Sequence, residues 1–461
     1  MSYVRHLLRL RLSVSSNRLS TTRIIALAFA AIILTGALLL TLPVASRNGE
    51  SCGFLTALFT ATSATCVTGL ILVDTFVQWS GFGQVVILSL IQIGGLGFMS
   101  IASIFAFSLH KKLGLKQRML LAQAMSLNDM EGVVRLQKHV LVGTFSLESL
   151  GALVLFFRFL PSYGPWNALK WGVFHSVSAF CNAGFDILGV LKPGSSLMLF
   201  QKDPVVCLTI MALIVVGGLG FFVWEDLLRA VRTRSLRRLS VYSRLVLTCS
   251  GLLILIGAGL ICAMEWNNPA TLGPMTVPQK LLAGAFQSVT TRTAGFAAID
   301  QGAMRESTRA VSIVLMLIGG SPGSTAGGMK TTTAAVLFAN ATATFCQRES
   351  AHFFGRRIDS TVVKNAATIL IMYVTLMLAG GCAVSLIEDL PLSACLFETA
   401  SAVGTVGVSL GITPSLGLAS HMILILLMFL GRVGGLTVIY AAMSGNDTFT
   451  AKLPQEKIIV G

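Results

Sequence analysis

The sequence predicts an all-α integral membrane protein of four tandem helix–pore loop–helix repeats, with eight transmembrane helices and four re-entrant loops in pseudo-fourfold arrangement. Three observations carry this. The chain is 54% hydrophobic and only 11% charged, with mean hydropathy +0.80, a balance suited to lipid rather than to a soluble domain. Apolar runs long enough for a bilayer, about 20 residues, recur along the chain. Between paired runs, a short Ser/Thr-rich motif ending in Gly appears four times.

Taken in order, a basic cytoplasmic tail (1–23) precedes the run 24–42, which pairs with 81–109 to make repeat 1 (24–109). A basic stretch before an apolar one also resembles a signal peptide, but this run is too long, and an even topology needs it as the first helix. Repeat 2 (136–224) holds the runs 140–160 and 205–223. Repeat 3 (243–345) holds 245–263 and a second run, 310–318, that continues past a Gly-rich break to 341. Repeat 4 (365–443) holds 366–387 and 422–443, and a cytoplasmic tail (444–461) follows.

The net charge of +15 raises the question of nucleic acid, and the placement of the basic residues excludes it. Arg5, Arg9, Arg11, Arg18 and Arg23 form one cluster, and Lys111, Lys112, Lys116, Arg118, Arg135 and Lys138 a second. Arg229, Arg232, Arg234, Arg237, Arg238 and Arg244 form a third, and Arg348, Arg356, Arg357 and Lys364 a fourth. All four fall on one side of the predicted spans, facing scattered single charges such as Arg47, Lys170, Lys192 and Lys280. The positive-inside rule then places both termini in the cytoplasm of a multi-pass inner-membrane protein, with membrane lipid as its surroundings. Nine cysteines without a C-x-x-C pair support neither zinc nor a disulfide framework and read as small apolar residues.

The four motifs begin at Phe59, Phe174, Phe286 and Phe397 and end at Gly69, Gly184, Gly295 and Gly407, at intervals of 115, 111 and 112 residues. A second landmark, the Gly pairs 94–95, 217–218, 319–320 and 434–435, keeps the same beat. Two landmarks in register mark tandem duplication. Two spans per unit return the chain to the same side, so the repeats are parallel rather than inverted. Non-helical backbone at membrane depth is tolerated only where it is buried or lines a wet cavity. A ring of four such loops therefore predicts a pore lining.

The residues before each Gly offer backbone and hydroxyl oxygens and almost no charge, which suits a hard monovalent cation held by carbonyl rings. Thr68–Gly69, Ala183–Gly184, Ala294–Gly295 and Val406–Gly407 are the candidate ion-binding pairs. Asp74, Asp186 and Asp300 follow the glycines closely and are candidates for an acidic outer mouth, the alternative being ordinary loop caps. The third inner run is broken by Gly319, Gly320, Ser321, Pro322, Gly323, Ser324 and Thr325, continuing to Lys330. Proline and clustered glycines forbid a regular helix there, so a loop over 319–331 inside the membrane is expected. Its spacing approaches a phosphate-cradling motif, but Met329 intervenes before Lys330 and no flanking strand is predicted. Arg432 interrupts an apolar span, where a charge costs about 3 kcal/mol and must face protein or water. A pore-facing barrier is the first reading and an ion pair with Glu148 the alternative.

These loops, the Gly-rich interruption and the final helix resemble the Trk/Ktr/HKT superfamily of potassium transporters over nearly the whole chain. The likeness is nearest to the membrane subunit of bacterial Ktr systems, since the first repeat directly follows a short basic tail, without two preceding spans. The resemblance implies potassium uptake without enzymatic activity, with Gly69, Gly184, Gly295 and Gly407 as the selectivity filter. Gly69, where some sodium-favouring plant members have Ser, points to potassium. It further implies a gate at the 319–331 loop, Arg432 as a barrier to outward leak and Arg292 bracing the filter from behind. It implies K+ as substrate, Na+ as an activator, a homodimer with one pore per protomer, and a cytosolic nucleotide-binding regulatory ring (KtrA-like) that binds nucleotide in place of this chain. The basic faces 111–138 and 229–244 are candidate docking surfaces for that ring, the alternative being positive-inside anchoring alone. A cation-coupled solute symporter would need several ionisable residues at the midplane, where Glu148, Lys330 and Arg432 stand nearly alone. A membrane-embedded enzyme would need a motif such as H-E-x-x-H, which the sequence lacks.

Overall fold

The computed structural model describes residues 21–97, 133–235, 239–348 and 350–434. Tail residues 1–20, the segment 98–132 with Lys111, Lys112, Lys116 and Arg118, the residues Arg237 and Arg238, and 435–461 with Gly435 lie outside the described residues.

The described chain is almost wholly helical. Helix α1 (Thr21–Thr41) is followed by α2 (Phe54–Thr65), the single turn α3 (Thr75–Gln78) and α4 (Gly81–Leu96). Then come α5 (Val133–Phe180), α6 (Pro204–Leu219), α7 (Phe221–Arg232), α8 (Val241–Glu265), α9 (Val277–Thr290), α10 (Glu306–Leu317) and α11 (Thr331–Phe345). A two-residue antiparallel hairpin, β1 (His352–Phe353) with β2 (Arg356–Arg357), precedes α12 (Ser360–Glu388), α13 (Leu392–Gly404) and α14 (Leu418–Val433).

Helix starts follow local chemistry. Ser80, Asp203, Ser240 and Asp359 accept from backbone N–H groups in the first turns of α4, α6, α8 and α12, and Thr276 with Gln279 forms a capping box on α9. These caps satisfy donors that the helix itself leaves free. Helix α5 is two helices joined at Gly164, whose φ of 76° lies between Pro161 and Pro165. Its second part, a short helix ending at Phe180, thereby corresponds to α2, α9 and α13.

Four described helices, α1, α5, α8 and α12, are long and apolar enough to cross a membrane, and the bent pair α6–α7 supplies a fifth candidate. The second apolar run of repeat 2 is helical in one piece for less of its length than the hydropathy predicts. Its helix α6 has 16 residues, a rise of about 24 Å against a hydrocarbon core of about 30 Å. The expected run 205–223 is broken outright: Gly220 takes φ 92° and turns α7 through 100° from α6. Hydropathy sees an unbroken apolar run there; a glycine in the left-handed region stops the helix.

The anchor aromatics Phe59, Phe174, Phe286 and Phe397 are at most 3% exposed. Lipid supplies no hydrophobic drive between helices, so close approach at small residues does the packing. A Cβ placed on Gly94, Gly217 or Gly431 would run into the carbonyl oxygen of Thr65, Phe180 or Val403 respectively. Helices α4, α6 and α14 are thus pressed against the C-terminal ends of the short helices α2, α5 and α13.

Candidate functional site

Just beyond the ends of the four short helices, the backbone adopts one pattern. Val67, Asn182, Thr293 and Thr405 have φ of 56°, 59°, 71° and 51°, and two residues on Gly69, Gly184, Gly295 and Gly407 have φ of 94°, 70°, 81° and 91°. The residue between, Thr68, Ala183, Ala294 or Val406, has negative φ. This alternation of sign recurs in all four segments. A left-handed step costs an L-residue about 1–2 kcal/mol, and hydrogen bonds hold it. The N–H groups of Thr68, Ala183, Ala294 and Val406 donate to the carbonyls of Ser63, Ser178, Thr290 and Ser401 at 2.8, 2.7, 2.9 and 2.8 Å.

The hydroxyls of those four residues also bond to the segment, in two ways. Ser63 and Ser401 accept from the N–H of Gly69 and Gly407, both at 3.0 Å. Ser178 and Thr290 instead donate to the carbonyls of Phe185 and Phe296, one residue past the glycine, at 2.7 and 2.6 Å.

The four segments meet. A Cβ built on Gly69 would lie 2.5 Å from the carbonyl oxygen of Ala183, on Gly184 2.8 Å from that of Ala294, and on Gly295 2.6 Å from that of Val406. On Gly407 it would strike the carbonyl oxygen of Thr68, which closes the cycle. All eight predicted ion-binding residues therefore lie in one closed ring, with no room for a side chain at any of the glycines. Around it, the buried hydroxyls of Thr68, Thr293 and Thr405 have no protein hydrogen-bond partner among the described residues.

Beneath the ring, the C-terminal carbonyls of the broken helices find partners outside their own helices. Those of Gly217 and Gly218 on α6 accept from the N–H groups of Thr325 and Ser321, at 3.2 and 2.9 Å. Those of Gly94 and Gly95 on α4 accept from the Arg432 guanidinium, which also donates to the Thr325 carbonyl. Free helix-end carbonyls must be satisfied at membrane depth, and Arg432 does so for α4 while tying it to the 318–330 loop. Glu148 is not its partner. That carboxylate accepts from Gln92 at 3.0 Å and from Cys181 at 3.8 Å. The contacts also correct the fourth Gly landmark. Gly431 packs on Val403 as Gly94 packs on Thr65 and Gly217 on Phe180, so Gly431–Arg432, rather than Gly434–Gly435, matches Gly94–Gly95 and Gly217–Gly218. Arg432 stands where the other two have glycine.

The 318–330 loop begins and ends where the glycines and Pro322 predict. Ile318 and Met329 form a parallel bridge, and Gly319 N–H donates to the Met329 carbonyl at 2.7 Å. Lys330 donates to the Ala326 carbonyl at 2.8 Å, and Ser321 and Thr331 share a hydroxyl hydrogen bond of 2.9 Å. Thr325 Oγ1 donates to the Phe180 carbonyl at 3.0 Å, and Ser324 to Ser321 within the loop. Tyr242 and the Phe221 N–H donate to the carbonyls of Pro322 and Gly323 at 2.9 and 2.8 Å. A Cβ on Gly320 would meet Ala326, and one on Gly323 the Phe222 ring. Arg292 points away from the ring, donating to Ser250 of α8 at 3.3 and 3.4 Å.

The three outer aspartates differ. Asp74 caps α3 through the N–H groups of Phe76 and Val77 and accepts from Gly194 N–H at 2.9 Å, so the capping alternative describes it. Asp186 accepts from Leu188 N–H at 3.1 Å. Asp300 is exposed and accepts from Gly302 N–H at 2.9 Å. The sequence reading missed Glu398. This fully buried carboxylate of α13 accepts from Ser409, Leu410 N–H and Thr413 at 2.8, 2.8 and 2.7 Å, fastening the short helix to the chain beyond the ring. Gln287 does the same in α9 through paired amide bonds with Gln301. Both directly follow the anchor phenylalanine, and that placement was the signal available.

Three comparisons bear on this arrangement. A model of the TrkH family, described as a cation transport protein, matches residues 6–455. The potassium/sodium uptake protein NtpJ of Enterococcus hirae is 39% identical over 450 residues, covering 96% of this chain and 98% of that protein. Ktr system potassium uptake protein B of Bacillus subtilis is 38% identical over 444 residues, covering 96% and 97%. Among solved structures, the potassium transporter TrkH from Vibrio parahaemolyticus superposes with a TM-score of 0.72 at 16% identity, covering 92% of this chain and 85% of that one.

Proposed function

This chain belongs to the TrkH family of cation transport proteins, and from that premise we propose that it takes up potassium through the closed glycine ring. The observation that carries the proposal is the cycle of close approaches from Gly69 through Gly184 and Gly295 to Gly407 and back, each against a carbonyl oxygen of the next segment. Such oxygens replace the hydration shell of a potassium-like ion. In this reading the chain is a multi-pass membrane transporter of four like-oriented units with re-entrant loops, with repeat boundaries as the sequence predicts, and both termini are cytoplasmic.

The 318–330 loop acts as the gate beneath the filter. Arg432 has two roles there: it holds the loop against α4, and its charge opposes outward leak. Asp300, exposed beyond the ring, draws cations to the outer mouth; Asp74 and Asp186 shape that mouth through backbone bonds. The relatives named as Ktr system proteins support a multi-component system, with a homodimer of this chain bound to a cytosolic nucleotide-binding ring and sodium as an activator. A solute symporter is not favoured, because the buried ionisable groups Glu148, Glu398 and Arg432 are engaged by protein donors or carbonyls.

The test is rescue of a potassium-uptake-deficient bacterial strain at limiting potassium by the intact chain, Gly69→Ser and Arg432→Ala, each checked for membrane expression. Growth with the intact chain, relaxed selectivity in Gly69→Ser and altered flux in Arg432→Ala support the reading. An expressed chain that moves neither potassium nor rubidium when supplied with its cytosolic partner overturns it.

A further inference from the structure

Helix α7 stands apart from the transport path. It leaves apolar α6 at Gly220 and turns through 100°, so the two helices stand nearly at right angles. Its buried side is Phe221, Val223 and Ala230. The other side presents Leu228 at 57% and Val231 at 72% exposure, beside Arg229, Arg232 and Arg234, all exposed. Glu225, 3.7 Å from Arg229 across one helical turn, and Asp226, which is engaged by Ser240 and Ser243, oppose this charge, and such an exposed ion pair is worth little. Apolar and basic side chains side by side, on a helix set nearly at right angles to the apolar one before it, are the signature of an interfacial element.

Helix α7 also touches the 318–330 loop. Phe221 N–H donates to the Gly323 carbonyl, and the Phe222 ring closes on Gly323. Phe222 in turn packs edge-on against Tyr242, ring centroids 6.3 Å apart, and Tyr242 donates to Pro322.

We infer that α7 is a binding surface for anionic phospholipid headgroups, with Arg229, Arg232 and Arg234 contacting phosphate, Leu228 and Val231 seated among acyl chains, and occupancy transmitted to the loop through Phe222 and Tyr242. The regulatory part rests on the potassium-uptake reading and on α7 facing the cytoplasmic leaflet, where anionic lipid attracts basic segments.

The experiment uses the full chain, purified and placed in bilayers of phosphatidylethanolamine containing about a quarter phosphatidylglycerol or, for comparison, phosphatidylcholine. Lipid retained by the protein is counted by native mass spectrometry, and rubidium flux is measured in matching vesicles. The intact chain and an Arg47→Gln control should retain phosphatidylglycerol preferentially. Combined Arg229→Gln, Arg232→Gln and Arg234→Gln should weaken that retention at least about tenfold. Tyr242→Phe should retain the lipid and lose the response of flux to it. Unchanged retention in the triple variant overturns the site. Equal flux in both lipids, with an effect of the arginines only when the cytosolic ring is added, makes α7 a protein-docking face and overturns the proposal as well. Absent flux in every vesicle removes the transport reading, while retention still decides the lipid site.

Discussion

The ring and the layer directly beneath it obey different rules. In the ring, four segments repeat one backbone pattern, with left-handed residues at the same two positions and the same bond from N–H to the carbonyl of a Ser or Thr. Beneath it, the four second helices end in different ways: α4 is capped by Arg432, α6 by backbone of the 318–330 loop, α10 by giving way to that loop, and α14 by carrying the arginine itself. A site that coordinates one ion from all sides needs near-equivalence. A site that opens and closes needs an element whose contacts can be exchanged, and hydrogen bonds from one loop and one guanidinium can be exchanged more readily than four packed backbones.

The largest effect should follow from breaking the ring. A side chain at Gly407 would overlap the Thr68 carbonyl and would require an L-residue to hold φ 91°. Gly69→Ser meets Ala183 less closely. Gly407→Ser should therefore reduce rubidium uptake by at least about tenfold, and more than Gly69→Ser does. Matched initial-rate measurements with expression controls check the order; equal effects would mean that the four positions are interchangeable despite their different clearances.

Arg432 tests the lower layer. Removing it leaves the carbonyls of Gly94, Gly95 and Thr325 without their donor, at about 1–3 kcal/mol for each buried acceptor. Arg432→Ala should raise flux several-fold and lower its dependence on the cytosolic partner. Lysine keeps the charge but lacks the planar fork that reaches three carbonyls together. If holding the loop is the larger role, Arg432→Lys should behave more like alanine than like the intact chain; wild-type flux in the lysine variant would leave the charge alone as the cause.

How much of this the sequence revealed depended on whether the physics was local or tertiary. The four glycines, the loop flanked by Gly319 and Lys330, and the anchor phenylalanines were legible because each follows from short-range pattern and period. The early end of α6 was not, because hydropathy is blind to the φ of one glycine. The match of Arg432 with Gly95 and Gly218 was hidden by a nearer Gly pair, and only the packing of Gly431 on Val403 reveals it. Glu398 was passed over because a lone acid gives no sign in sequence of the three donors waiting for it. The outer aspartates were legible as positions but not as roles, since Asp74 spends its oxygens on backbone N–H groups that only the folded loops bring within reach.

Glu398 offers a smaller perturbation of the ring from behind. Glu398→Ala removes both carboxylate oxygens, so the bonds from Ser409, Leu410 and Thr413 are lost. The expected loss is about 1–3 kcal/mol of stability, read as a lower melting temperature in detergent together with a modest decline in potassium-over-sodium selectivity. Gln287→Ala should move both readouts in the same direction, because Gln287 fastens α9 to Gln301 as Glu398 fastens α13. A variant that melts normally and selects normally would leave these fastenings without influence on the ring.

The smallest effects probe a division inside the ring. Ser63 and Ser401 hold the N–H of a ring glycine, whereas Ser178 and Thr290 hold a carbonyl just beyond one. Losing the first kind frees a peptide that borders the ion path; losing the second frees an oxygen one residue outside it. A carbonyl can find water at the outer mouth more readily than a buried N–H can, so the two losses should differ although each removes one hydrogen bond of about 1 kcal/mol. Ser63→Ala and Ser401→Ala should each lower potassium-over-sodium discrimination a few-fold, and Ser178→Ala and Thr290→Val by less, in competitive rubidium uptake with sodium. Segments 1 and 4 lie next to each other in the cycle, as do 2 and 3. An ordering in which one adjacent pair is sensitive and the other tolerant would mean that a ring built by fourfold repetition holds its ion more strictly from one half than from the other.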